Sequence, residues 1–145
     1  MRINEVLAGK LSQQVITITP DATVRELLAR LAEHNVGALV VSVNGRSVDG
    51  IVSERDVVRR LHEDENLLDA EVGSIMTVQV ETCDGGDPVH ELARVMTEGH
   101  FRHIPVVADG ELTGIVSIGD VVKSRMSELE FERDQLDSYV HTQQT

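Results

Sequence analysis

A nine-residue pattern occurs twice in this chain. Residues 50–58 read Gly50-Ile51-Val52-Ser53-Glu54-Arg55-Asp56-Val57-Val58, and residues 114–122 read Gly114-Ile115-Val116-Ser117-Ile118-Gly119-Asp120-Val121-Val122. Seven of the nine positions agree, at a constant offset of 64. Each copy runs glycine, short apolar strand, serine, and an aspartate three places on, then opens a helix. Ser-x-x-Asp ahead of an apolar run is a capping-box pattern: the serine oxygen accepts from an early helix N–H, and the acid sits against the positive end of the helix dipole. A helix N-terminus is also a ready anion site. The same device can therefore be a structural cap or half of a sugar-phosphate site.

The segments around the two copies repeat as well. Ahead of the first copy, Val15–Thr19 has strand character and ends at Pro20-Asp21. Thr23-x-x-Glu26 forms a second capping box, and Val24, Leu27, Leu28 and Leu31 follow at amphipathic helical spacing. The helix is expected to stop near Asn35 and Gly37, an apolar strand to run over 38–43, and Asn44-Gly45 to supply a hairpin turn. The second half replays the order. Val78–Cys83 is expected as a strand, and Asp87-Pro88 as N-cap and first helical residue. Val89, Leu92, Ala93 and Met96 form a stripe, Phe101–Val107 a strand, and Asp109-Gly110 a turn. Each half therefore predicts β-α-β-β-α. A unit of about sixty residues buries its apolar faces poorly alone. Two copies packed across a pseudo-twofold axis bury them and leave clefts at the junction, where ligands usually sit.

Two segments fall outside the repeat. Residues 1–14 predict a leading helix with Ile3, Val6, Leu7 and Leu11 on one face. Beyond Lys123, residues Met126, Leu129, Arg133, Leu136 and Val140 step by 3 and 4, a short heptad seam. This tail is too short to be stable alone, so it is expected to pack on something. The expected divisions are 1–66 for the first repeat with its leading helix, 67–127 for the second, and 128–145 for a helical tail.

Composition excludes several classes. Aromatics are 2% of the 145 residues, with no Trp, so the core must be aliphatic. The formal net charge of −12 argues against nucleic acid as the main partner, since that binding needs clustered Lys and Arg. A small nucleotide needs only a few local cations. The single cysteine, Cys83, excludes an intrachain disulfide and a cysteine-based zinc cluster. No run reaches the ~20 apolar residues of a membrane span, and Met1–Glu5 does not open a secretory signal, so a cytoplasmic location is expected. No Ser-His-Asp order, nucleophile elbow or Walker loop appears, and His100 and His103 lack the helical i, i+4 spacing of a metal pair. Neither an enzyme nor a metal protein is expected.

On the duplicated Gly-Ile-Val-Ser-x-x-Asp-Val-Val, the β-α-β-β-α order, Arg102-His103-Ile104-Pro105-Val106-Val107 and Ile75-Met76-Thr77, the chain resembles a tandem pair of CBS domains, named for cystathionine β-synthase, over nearly all of residues 1–127. The second unit and tail also resemble small stand-alone bacterial CBS-pair proteins with a C-terminal helix. The resemblance implies an α/β (α+β) fold and two pairs forming a homodimeric disc. It further implies a regulatory module acting on a protein partner, with an adenine nucleotide in the clefts: AMP first, then ADP, ATP, NAD(H) or S-adenosylmethionine. It implies ribose on Asp120 or Asp56, phosphates on the helix tips at Ser117 or Ser53 with Arg102, His103 or Arg55, and adenine against aliphatic walls near Ile16, Val36 and Ile104. The bland alternatives are helix caps for the Ser and Asp residues and solvated surface charge for the arginines. The first unit has Val36-Gly37-Ala38-Leu39 where the second has Phe101-Arg102-His103-Ile104, so the two clefts are not expected to bind alike, and Asp120 is expected to mark the tighter site. The competing function is a structural or protein-interaction scaffold with non-binding clefts.

Overall fold

The structure is a computed structural model that describes residues 1–10 and 15–143. Its elements in chain order are α1 (Ile3–Ala8), β1 (Thr17–Ile18), α2 (Val24–His34), β2 (Ala38–Val41), β3 (Gly50–Ser53), α3 (Glu54–Leu61), α4 (Val89–Gly99), β4 (His103–Ala108), β5 (Glu111–Ser117) and α5 (Ile118–Gln143). Two short 3-10 turns, Leu67–Asp69 and Val72–Ser74, lie between α3 and α4.

The first repeat forms a three-stranded sheet in the order β1-β2-β3. β1 runs parallel to β2, with Thr17 beside Val40, and β2 runs antiparallel to β3, with Ala38 beside Ser53. The expected cap on α2 is present in both directions: Thr23 Oγ1 accepts from Glu26 N–H at 3.2 Å, and Thr23 N–H donates to Glu26 Oε2 at 3.2 Å. Val24, Leu27 and Leu31 are buried, while Leu28 turns out to solvent. Asn44-Gly45 is not a two-residue hairpin. Asn44 Oδ1 accepts from the N–H groups of Arg46 and Ser47, each at 2.8 Å, and this asparagine turn widens the loop between β2 and β3.

The second repeat departs from the expected pattern in two places. The strand read over Val78–Cys83 shrinks to one parallel bridge, between Cys83 and Val106. Cys83 N–H donates to Pro105 O at 3.0 Å and Val107 N–H donates to Cys83 O at 2.9 Å, but Pro105 has no N–H with which to extend the ladder. Asp87 does not cap α4. Its Oδ2 accepts from Asp84 N–H at 3.0 Å across the Gly85-Gly86 turn, and Pro88 takes the cap position ahead of Val89. The turn at Asp109-Gly110 is as expected: φ is 53° and 78°, the paired left-handed conformation of a two-residue hairpin.

Two aliphatic cores result. Val24, Leu27, Leu39, Val41 and Val52 centre the first, and Leu92, Met96, Ile104, Val106 and Val116 the second. Each is completed by a segment preceding the other repeat in sequence. Ile3 of α1, fully buried, lies in the second core, where Ile3 N–H donates to Asp87 O and Val89 N–H to Met1 O, each at 3.0 Å. Val72, fully buried, lies in the first core, where Val72 N–H donates to Ala22 O at 2.8 Å and Val24 N–H to Ala70 O at 2.9 Å. The repeated glycine makes room for these entries. A Cβ on Gly50 would lie 2.7 Å from Met76 Sδ, and one on Gly114 would lie 2.9 Å from Leu7 Cδ1.

Candidate functional site

Two clefts open at the junction, related by the repeat. The first has a volume of about 380 Å³ and the second about 590 Å³, both within the usual range for small-ligand sites. Each takes its helix tip from one repeat and its strand entry from the other. The start of α3 in the first cleft faces Phe101, Arg102 and His103 of the second repeat. The start of α5 in the second cleft faces Val36, Ala38 and Leu39 of the first repeat, with Ile16 alongside.

This crossing decides which expected residues meet. Ser53, Arg55, Asp56, Arg102 and His103 line the first cleft together. Arg102 and His103, read from sequence beside Ser117 and Asp120, therefore stand across from Asp56 instead. Ile16, Val36 and Asp120 line the second cleft. Ser117 is half-buried at the tip of α5, its hydroxyl accepting from Asp120 N–H at 3.1 Å. Ile104 is a correction: it is fully buried in the second core and lines neither cleft, because alternation along β4 turns it to the opposite face from His103.

The two aspartates close equivalent turns in different surroundings. Asp56 Oδ2 accepts from Ser53 N–H at 2.8 Å and from the Ser53 hydroxyl at 3.2 Å. Asp120 Oδ2 accepts from Ser117 N–H at 2.9 Å and also meets Lys10 Nζ at 3.1 Å. Lys10 donates as well to Ile115 O at 2.9 Å, which ties the end of the leading segment to β5. Burial pushes the Asp120 carboxyl up, but the Ser117 N–H and the Lys10 ammonium outweigh it and hold the group below the ordinary carboxylate range. In both residues Oδ1 makes no hydrogen bond among the described residues and is left for another donor.

The first cleft carries three arginines and three carboxylates, Glu54, Asp56 and Glu81. Arg55 and Arg59, four apart on α3, join Arg102 on its wall, and none of the three forms an ion pair or side-chain hydrogen bond among the described residues. Phe101 lies on the same wall, its ring over Gly99, where any Cβ would collide with it. His103 sits between the clefts. Burial lowers its pKa against the opposing pull of Asp120 and Glu54, with Arg102 and Lys10 adding to the lowering. Of the residues missed from sequence, Arg59 was legible as the i+4 neighbour of Arg55. Lys10 carried no signal, because its partner lies in the other repeat. Among the described residues, no three His, Cys, Asp or Glu side chains gather in a way that could hold a metal ion.

The family model described as CBS domain matches residues 5–63 and 72–127. The chain belongs to the CBS domain family. The CBS domain-containing protein CBSX3, mitochondrial, of Arabidopsis thaliana is 36% identical over 127 residues, which is 84% of this chain but 62% of that protein, so the chain spans less than two thirds of that relative. Among solved structures, the CBS-domain containing protein ATU1752 from Agrobacterium tumefaciens superposes with a TM-score of 0.81 at 38% identity, over 86% of this chain and 99% of that one. CBS domain protein PAE2072 from Pyrobaculum aerophilum, solved in complex with AMP, superposes with a TM-score of 0.71 at 33% identity, over 83% of this chain and 89% of that one. The two clefts thus lie between the members of a CBS pair, and their unequal lining is a property of this chain's own residues.

Proposed function

We propose that this CBS pair is a regulatory module that binds an adenine nucleotide, with the phosphates in the first cleft. The observation that carries the reading is the set of three guanidiniums, Arg55, Arg59 and Arg102, that share one cleft with Glu54, Asp56 and Glu81 yet form no ion pair with them among the described residues. Guanidiniums left without an ion pair keep their N–H forks available, and a planar guanidinium fork suits phosphate oxygens. Asp56 Oδ1 is placed to accept from ribose hydroxyls, and Phe101 offers a ring face to the base. The AMP complex of the Pyrobaculum aerophilum relative supports the same ligand class. AMP is the first candidate, with ADP, ATP and NAD(H) behind it.

The second cleft is larger and flanked by Ile16, Val36 and Leu39, but its acid is already held by Lys10. Ribose binding there has to displace or share that ammonium, so, contrary to the expectation from sequence, the second cleft is read as the weaker nucleotide site. Cys83 lines neither cleft, and burial, Asp87 and Asp84 push its thiol up to about 12, so it stays protonated. The bound nucleotide acts on a protein partner by favouring one arrangement of the two repeats over another, since a ligand shifts an equilibrium only by its differential affinity.

Isothermal titration with AMP, ADP and ATP tests the reading. Saturable heat with the wild-type chain, lost in Asp56→Ala and in Arg55→Ala/Arg102→Ala, is the expected result. Heat retained in both variants would move the site to the second cleft, and no heat with any adenine nucleotide would leave the scaffold reading.

A further inference from the structure

His103 stands in the first cleft and faces an acid from each cleft. It opens β4, beside Ser117 of β5, and lines the first cleft. At the matching register of the first repeat, beside Ser53, stands Ala38, so the imidazole has no counterpart there. The ring lies over Gly37. A Cβ on that glycine would lie 3.4 Å from His103 Cε1, 3.5 Å from Nε2 and 2.8 Å from Glu54 Oε1, so ring and carboxylate close on one point of the backbone from opposite repeats. The charged groups facing the ring are Asp120 at the tip of α5, Glu54 at the tip of α3, Arg102 beside it on β4, and Lys10, which reaches Asp120 at 3.1 Å. Gly37 and Ala38 of the first repeat add no charge. The other titratable groups lining the first cleft are Arg55, Asp56, Arg59, Glu81 and His100. Burial, Arg102 and Lys10 hold the imidazole below its ordinary 6.5, so it is neutral at pH 7.5.

We propose that His103 determines specificity for the nucleotide's phosphate by taking up a proton as the phosphate enters the first cleft, and that Asp120 of the second cleft helps to hold the imidazolium so formed. The proposal rests on the reading that the phosphates lie in the first cleft. The phosphate favours the proton in two ways. It brings negative charge to the wall that carries the ring, and it pairs with Arg102, one of the two cations that oppose protonation. A neutral imidazole has one N–H to donate and an imidazolium has two, so the charged ring can serve the phosphate and still offer a donor to an acid. The proton comes from water. A group whose pKa is raised by binding makes binding tighter as pH falls. The nucleotide's own phosphate acts in the opposite sense, because its second pKa is about 6 and the arginines favour the dianion. Adenosine lacks the phosphate and leaves the ring neutral. Since Asp120 helps to hold the imidazolium and is also the partner of Lys10, occupancy of the first cleft is felt at the acid of the second.

The test is an NMR titration of the imidazole C–H signals of the full chain, alone, with saturating AMP and with saturating adenosine; the His103 signal is the one missing from His103→Gln. AMP is expected to raise the His103 midpoint by about one pH unit and adenosine to leave it in place. By linkage, the advantage of wild type over His103→Gln in AMP affinity then grows about tenfold as pH falls from 8.5 to 6, and comparing the two chains cancels the titration of AMP itself. Calorimetry at pH 7 in PIPES and in Tris, buffers of different ionisation enthalpy, should show more protons taken up by wild type than by His103→Gln. Asp120→Asn lines the second cleft alone, and is expected to lower the AMP-bound midpoint of His103. Thermal unfolding checks that both variants fold. Binding of AMP with an unmoved His103 midpoint, or an equal shift with adenosine, would overturn the inference and leave the nucleotide reading standing. A midpoint indifferent to Asp120→Asn would overturn the link between the clefts. No binding of AMP at all would remove the nucleotide reading, and this inference with it.

Discussion

Asp56 and Asp120 hold the same place in the repeat, and each accepts its serine's N–H, yet only Asp120 is neutralised by a lysine. This difference sets two predictions. Asp56→Ala loses both the acceptor for ribose and the reciprocal arm of the helix cap. It should therefore weaken AMP binding by at least tenfold and cost about 1 kcal/mol of stability, read by titration and by urea unfolding. The second concerns pH. Asp120 is held below its ordinary 3.8, so its contribution to stability is present above that value and drains away as pH falls below it. His103 is held below its ordinary 6.5, chiefly by burial, so the unfolded chain takes up this proton first. Stability should already decline as pH drops from about 6.5, well before the carboxylates titrate. His103→Gln should flatten that first decline and leave the later one, and urea midpoints at pH 7.5, 6.0 and 5.0 will show whether it does. The groups that oppose the His103 shift, Asp120 and Glu54, lie on the helix tips of the two different clefts.

At the scale of elements, the entering segments matter more than their length suggests. α1 has six residues, too few to persist alone, yet it delivers Ile3 into the centre of the second core. Ile3→Ala should cost 2–5 kcal/mol, as a substitution in the middle of α4 would, and not the near-zero cost of a frayed terminus. Gly50→Val drives a side chain against Met76 Sδ and the Thr77 carbonyl, 2.7 and 3.0 Å from its Cβ, and should cost about 1–3 kcal/mol in thermal unfolding. Much of this level was legible in the sequence. The duplicated motif, the Thr23 capping box and the Asp109-Gly110 hairpin are local chemistry, and local chemistry is written in adjacent residues. Other features are set by distant partners. The shortened strand at 78–83 depends on Pro105 across the ladder, and the role of Asp87 depends on Met1 already satisfying Val89. Individual site residues were legible by the same rule: Arg55 and Asp56 share a helix turn with Ser53. Their meeting with Arg102 was not, because it follows from the way one repeat faces the other.

At the scale of the whole molecule, the exchange of segments and the crossed clefts lead to one expectation about cooperativity. Each core contains a piece delivered from outside its own repeat: Ile3 for the second, Val72 for the first. Neither half can fill its centre while the other is unfolded and its entering strand and turn are unpaired. The first cleft adds to this coupling, since its helix tip and its Phe101–His103 wall belong to different repeats and exist together only when both are folded. Urea unfolding should therefore be a single transition. Leu31→Ala in the first core and Leu92→Ala in the second should each move that one midpoint, by 2–5 kcal/mol, without splitting it. AMP at a hundred times its dissociation constant should move the same midpoint the other way by about 2.7 kcal/mol, in both core variants alike and not in Asp56→Ala. Two separated transitions, with AMP displacing only one, would mean that the halves fold independently. The nucleotide would then sit within a single repeat, and the route proposed above, a shift of one repeat against the other, would be lost.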